Sequence, residues 1–171
     1  SLQSTSKIYW ENLLDRQPVD PVSERARRVK IMPLCSLEEA LDELKAGKLL
    51  IVVDDEQREN EGDLVMAAEM VTPEAVNFMV THARGLLCMP MLGERLDELQ
   101  MPPMVSQNGA NNNDTAFTVS VDYKKNTTTG ISAPDRAASI RAMVDPTVRP
   151  EDFTKPGHLF PLRYHPGGVL A

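Results

Sequence analysis

Residues 48–69 read KLLIVVDDEQRENEGDLVMAAE, and this stretch decides the fold. Lys48–Val53 is a short, nearly continuous apolar run, which marks a strand buried on both faces rather than an alternating, half-exposed one. Asp54–Asp63 contains no apolar side chain, and Asp63–Ala68 returns to the character of a strand. The local plan is therefore strand, polar loop, strand. The loop also concentrates charge: residues 54–63 hold one basic and six acidic side chains, −5 of the chain's net −7. Such a run is either a solvated acidic loop or a ligand site. The lone Arg58, the glycine at 62 and the apolar flanks on both sides are what set it apart from an ordinary solvated loop.

Upstream, Ser36-Leu-Glu-Glu39 fits a capping box, in which the Ser and Glu side chains satisfy each other's free backbone N–H groups. Leu37, Ala40, Leu41 and Leu44 follow at helical spacing until Gly47 ends the element. Residues 1–33 read as an N-terminal extension, rich in Ser, Gln and Pro, with a basic cluster at Arg25, Arg27, Arg28 and Lys30. Ile8-Tyr9-Trp10 is its one apolar patch; it either docks on the body or belongs to a mobile tail. Residues 34–171 are the expected domain.

Downstream, Thr72-Pro73 supplies a cap and a first-turn proline for a helix running to about Ala83, with Ala75, Val76, Met79 and Val80 inward and Gly85 closing it. Leu86–Met89 is a short strand, Glu94–Leu99 a short helix, and 101–114 a loop carrying two prolines and four asparagines. Ala116–Asp122 alternates as a strand. Thr127-Thr-Thr-Gly130 is a polar turn, and Ser132-Ala-Pro-Asp135 opens a helix bearing Ala138, Ile140, Ala142, Met143 and Val144, stopped by Pro146. Lys155-Pro-Gly-His158 is expected as a loop entering the strand His158–Arg163. Helices and strands alternate without a solenoid repeat, so the expected class is α/β (α+β), a mixed β-sheet layered with helices.

The composition narrows the functional classes. With 42% hydrophobic and 25% charged residues, 171 residues can bury a core, and the length is a prior for one domain. A pI near 5.0 argues against a nucleic-acid binder. No apolar run approaches the roughly 18–20 residues of a membrane span. Two cysteines, Cys35 and Cys88, make no disulfide framework, which favours a reducing compartment: the cytoplasm, or a plastid in a plant.

The chemistry-bearing constellation is Arg58-Glu59-Asn60-Glu61-Gly62-Asp63. Three carboxylates around one guanidinium repel one another, and a cation relieves that repulsion. Mg2+ suits such oxygen donors and keeps several waters, while Arg58 offers a fork to a phosphate or carboxylate. The pair implies a small phosphorylated or polyhydroxylated substrate. His158, behind Pro156-Gly157, stands at a rigid strand entrance, either structural or catalytic. Thr127, Thr128 and Thr129 either bind substrate hydroxyls or satisfy the turn. Cys88 reads as a small core residue.

Together and in order, DDEQRENEGDLVMAAE, HARGLLCMP, TAFTVSVD, TTTGISAPDR and KPGHLFPLR closely resemble the 3,4-dihydroxy-2-butanone 4-phosphate synthases, from about residue 36 to the end. That resemblance implies a lyase of riboflavin biosynthesis. It converts D-ribulose 5-phosphate into L-3,4-dihydroxybutan-2-one 4-phosphate and formate, with Mg2+ (Mn2+ as a substitute), in a homodimer with sites near the subunit interface. It further implies Glu59 as a metal ligand, Arg58, Glu59 and Asp63 as substrate contacts, and His158 as the catalytic histidine. Thr129 and Cys88 match positions lining the family's site.

One departure accompanies the match. In the family an Arg-x-Gly-His-Thr-Glu segment follows GGVL, supplying a second metal ligand and phosphate contacts, with a catalytic glutamate further on. The given sequence stops at Ala171. The expectation is therefore a synthase domain without its C-terminal part and with little activity of its own, with a GTP cyclohydrolase II domain beyond residue 171 in fused forms. The competing reading is a catalytically silent dimerisation or regulatory module of the same fold.

Overall fold

The computed structural model describes residues 7–9, 34–54, 61–105 and 116–165, with backbone only for 7–9. The chain divides into two compact units, residues 1–67 and 68–171.

The first unit is built on the opening stretch. Strand β1 (Lys7–Tyr9), helix α1 (Leu37–Lys45), β2 (Leu50–Val53) and β3 (Gly62–Val65) follow in order. The three strands form an antiparallel sheet in the order β1-β2-β3. Lys7–Tyr9 of the N-terminal extension thus pairs with Ile51–Val53, supplying an edge strand. The expected capping box is present: Ser36 Oγ accepts from the Glu39 N–H at 3.2 Å, and the Ser36 N–H donates to Glu39 Oε2 at 2.8 Å. After α1, Gly47 takes a left-handed φ of 75°, which lets the chain turn into β2 without a Cβ penalty. β2 begins two residues later than the apolar run predicts, and β3 ends at Val65 instead of Ala68. Ala68–Met70 is a 3-10 turn belonging to the second unit.

The second unit holds α2 (Pro73–His82), β4 (Cys88–Met91), α3 (Gly93–Glu98), β5 (Val121–Tyr123), α4 (Ala133–Val144) and β6 (Phe153–Arg163). Its sheet is mixed, in the order β4-β6-β5, with β4 parallel and β5 antiparallel to β6. Thr72 caps α2 as expected, through Oγ1 to the Ala75 N–H. Its end differs: the left-handed residue is Arg84 (φ 61°), not Gly85. β4 lies two residues beyond the predicted Leu86–Met89, because the register against β6 pairs Cys88 with Phe160 and Met91 with Arg163. Phe117 and Thr118 make only isolated bridges, to Leu162 and Pro103, so the predicted strand Ala116–Asp122 contracts to Val121–Tyr123. The core gathers Val76, Leu96, Leu99, Met101, Val121, Met143 and Leu159, each essentially inaccessible to water. Burying such side chains contributes about 1.5–3 kcal/mol each before chain entropy is counted.

The largest departure is at the expected loop Lys155–His158. β6 runs through it, from Phe153 to Arg163. The pairing with β5 explains why: Val121 faces Leu159, yet its neighbour Asp122 faces Thr154. Residues 155–158 are thus an excursion inside a strand, opposite a single step of β5, as in an extended β-bulge.

Candidate functional site

That excursion turns His158 toward β5. Its backbone N–H donates to Asp122 Oδ1 at 2.8 Å, and its Nδ1 meets Asp122 Oδ2 at the same distance. A carboxylate oxygen only accepts, so Nδ1 carries the proton of the neutral ring and the Nε2 lone pair is left over. Asp122 is buried, while the imidazole keeps 41% of its side-chain surface exposed. Nδ1 is fixed on a buried carboxylate while the ring as a whole stays partly exposed. This is the geometry of an oriented proton carrier.

Two glycines make the corner. A Cβ on Gly157 would lie 2.1 Å from the Val121 carbonyl carbon and 2.3 Å from the Asp122 nitrogen, so only glycine lets β6 approach β5 this closely. The Gly157 N–H donates to Ser120 Oγ at 3.1 Å, which ties the excursion down one residue before the histidine. Gly130 (φ 89°) also closes on Asp122: a Cβ there would overlap its carboxylate, 2.0 Å from Oδ2.

Gly130 ends the Thr127–Gly130 turn. Thr128 and Thr129 are exposed on it, and the turn is anchored on Asp135 at the start of α4. Asp135 Oδ2 accepts from Thr128 Oγ1 at 2.7 Å and from the Gly130 N–H at 3.0 Å; Oδ1 accepts from the Thr128 N–H at 3.1 Å. These bonds, led by the Thr128 hydroxyl, hold the Asp135 carboxyl below its ordinary value of 3.8. The structure thus brings the threonine turn and His158 to one carboxylate, Asp122.

In the first unit, Asp54 closes the base of the acidic loop. Its N–H donates to the Glu61 carbonyl at 3.3 Å, and its Oδ1 accepts from the Glu61 N–H at 2.8 Å. Asp63 sits in β3 opposite Val52, on an exposed position. Arg58 and Glu59 lie outside the described residues. Among the described residues, no three His, Cys, Asp or Glu side chains converge as a metal-binding group. The donor chemistry of 54–63 nevertheless fits a hard divalent cation: every ionisable donor in it other than Arg58 is a carboxylate. Cys88 is half-buried at the start of β4, opposite Phe160.

Asp122 and Asp135 are absent from the sequence-derived site. Asp122 reads as the end of an alternating strand, and only the register break of β6 shows that it faces His158. Asp135 reads as a first-turn helix acid, with no hint that it reaches back to Thr128 and Gly130.

Fold and site define an α/β protein with a carboxylate-oriented imidazole at a sheet corner and an acidic hairpin loop. Residues 38–171 match the model of one family, and the chain belongs to it: the 3,4-dihydroxy-2-butanone 4-phosphate synthases. A relative of that name from Agrobacterium fabrum is 55% identical over 140 residues, covering 82% of this chain and 65% of the relative. The riboflavin biosynthesis protein RibBA of Synechocystis is 56% identical over 137 residues, covering 79% of this chain and 24% of the relative. A solved 3,4-dihydroxy-2-butanone 4-phosphate synthase, in complex with two magnesium ions, superposes with a TM-score of 0.75 at 46% identity, covering 79% of this chain and 62% of the other. The chain therefore spans about two thirds or less of the length of these relatives. No described helix is long and apolar enough to cross a membrane.

Proposed function

We propose that the protein carrying this domain is a Mg2+-dependent lyase of riboflavin biosynthesis. It would convert D-ribulose 5-phosphate into L-3,4-dihydroxybutan-2-one 4-phosphate and formate. The observation that carries the reading is the bidentate clasp of Asp122 on His158 in a chain of this family. The reaction begins by removing a proton beside a carbonyl, and His158 Nε2 is a base held outward for that transfer. Its Nδ1–H stays hydrogen-bonded to the Asp122 carboxylate, so the imidazolium formed on proton uptake at Nε2 is stabilised where it arises. Asp63, exposed on β3, is the second candidate proton carrier. Arg58 provides a fork for the substrate's anionic oxygens, and Thr129 a hydroxyl for its polyol.

Glu59 is the residue of this chain assigned to hold the cation. When bound, Mg2+ supplies positive charge where the carbonyl oxygen gathers negative charge. The solved relative bound to two magnesium ions supports the choice of cation, not of ligand; Mn2+ is expected to substitute. The working form is taken to be a homodimer. The Synechocystis relative, about four times as long as the matched stretch, supports a longer protein with a further domain such as GTP cyclohydrolase II.

Formate release from D-ribulose 5-phosphate by the full gene product, with and without EDTA, tests the reading. Formate only in the presence of Mg2+, abolished in Glu59→Gln and His158→Ala, is the expected result. A folded dimer releasing none would overturn it in favour of a silent module.

A further inference from the structure

We infer that Asp135 is a positioning residue for His158, acting through the Thr128–Gly130 turn and Asp122. The inference rests on the proposed role of His158, but its geometry stands apart from any activity. Asp135 is buried and receives three hydrogen bonds from the turn. A capping-box acid at this place would reach back to the N–H of Ser132. Here Ser132 Oγ accepts from the Asp135 N–H at 3.1 Å, while the carboxylate reaches past Ser132 to Thr128 and Gly130. A second tie runs down the helix, where Ser139 Oγ donates to the Asp135 carbonyl at 3.0 Å and accepts from the Tyr123 N–H at 2.9 Å. α4 is thereby bonded both to the turn itself, at Thr128 and Gly130, and to the chain before it, at Tyr123.

The consequence falls on Asp122. Gly130 lies so close to its carboxylate that a single added carbon would overlap Oδ2, the oxygen that meets His158 Nδ1. The turn is a wall behind that carboxylate, and Asp135 holds the wall in place. Released from Asp135, Gly130 can retreat, and Asp122 gains room to rotate away from the ring. The imidazole then loses the partner that fixes its proton on Nδ1. A free neutral imidazole favours the proton on Nε2, the wrong nitrogen for a base presented outward. Asp135 would thus act without touching substrate, by deciding which ring nitrogen is available.

The test is the tautomer of His158, read from its ring 15N resonances in the whole chain at a pH where the ring is neutral. The wild-type chain is expected to give the Nδ1–H pattern, and Asp122→Asn serves as the control that abolishes it. Asp135→Asn, with the wild-type near-ultraviolet circular dichroism retained, is expected to shift most of the population to Nε2–H. Thr128→Val removes one bond and leaves the carboxylate, so it should shift a smaller share; it also serves if Asp135→Asn does not fold. Wild-type tautomer populations in folded Asp135→Asn, or in Thr128→Val, would overturn the inference. Loss of formate release in His158→Ala is a separate observation, so failure of the functional reading leaves this result interpretable.

Discussion

The hairpin β2–β3 and the corner between β5 and β6 carry the two halves of the candidate chemistry, and they are built in opposite ways. At the corner Asp122 is buried, His158 is bonded to it twice, and two glycines permit close approaches that a Cβ would block, Gly157 to the β5 backbone and Gly130 to the Asp122 carboxylate. At the hairpin, the described carboxylates Glu61 and Asp63 are exposed. Two bonds between Asp54 and Glu61 join the base of the loop. Under the proposed roles, the difference follows from what each group would do. A proton carrier works only if one nitrogen is presented in one tautomer, which needs buried, fixed partners. Carboxylates for a hydrated cation need charge and reach, and a cation that keeps several waters makes few demands on their burial.

Substitutions at the two places should therefore fail differently. In the full gene product, His158→Ala should lower kcat by about 100-fold to 10,000-fold, the range for losing a general acid–base group, with KM for ribulose 5-phosphate little changed. A kcat within a factor of three of wild type would remove the corner from the chemistry. Glu59→Gln should act on the metal instead. Its Mg2+ requirement, read as the concentration giving half-maximal formate release, should rise by at least about tenfold. An unchanged requirement would leave the acidic loop a solvated one.

Gly157→Ala probes how tightly the corner is packed. The new Cβ meets backbone, which cannot step aside as a side chain can, so a loss of about 3 kcal/mol or more is expected. For a chain of this size that is a fall in Tm of about 10 °C by calorimetry. No hairpin position should match it: Gly62→Ala places its Cβ 3.5 Å from Ile51, ordinary contact, and should cost about 1 kcal/mol or less.

A pH profile gives the smallest effect. The Asp135 carboxyl lies below its ordinary value when folded, so the folded state binds fewer protons than the unfolded one around that pH. Its contribution to stability is complete above about pH 4 and is lost as the pH falls through the lower folded value. Urea midpoints should therefore drop as the pH falls below about 4, and Asp135→Asn should flatten that drop. A parallel profile in the variant would show that the turn does not depend on the charge.

The hairpin was legible in the sequence, because an apolar run, an acidic loop and a second apolar run are local signals. So were the capped helices: Ser36, Thr72 and Ser132 each do what a residue of that type does before a helix. The corner was only half legible. His158 drew notice for its Pro-Gly prefix, yet its partner lies 36 residues earlier in the chain and is chosen by a register break that no local pattern encodes. The same holds for Asp135, whose spacing from Ser132 suits a cap and whose carboxylate serves the turn instead. Long-range register decides such pairings, and it depends on how the whole sheet packs.

The most direct test of the central claim is formate release by the full gene product carrying Asp122→Asn, measured beside the wild type with saturating Mg2+. Asparagine preserves the size of the side chain but offers one acceptor oxygen where the carboxylate offers two, and no charge to hold an imidazolium. A fall in kcat of about 100-fold or more, with the folded structure intact, is predicted. Wild-type kcat in that variant would show that the clasp on His158 is structural, and the account of this site would be wrong.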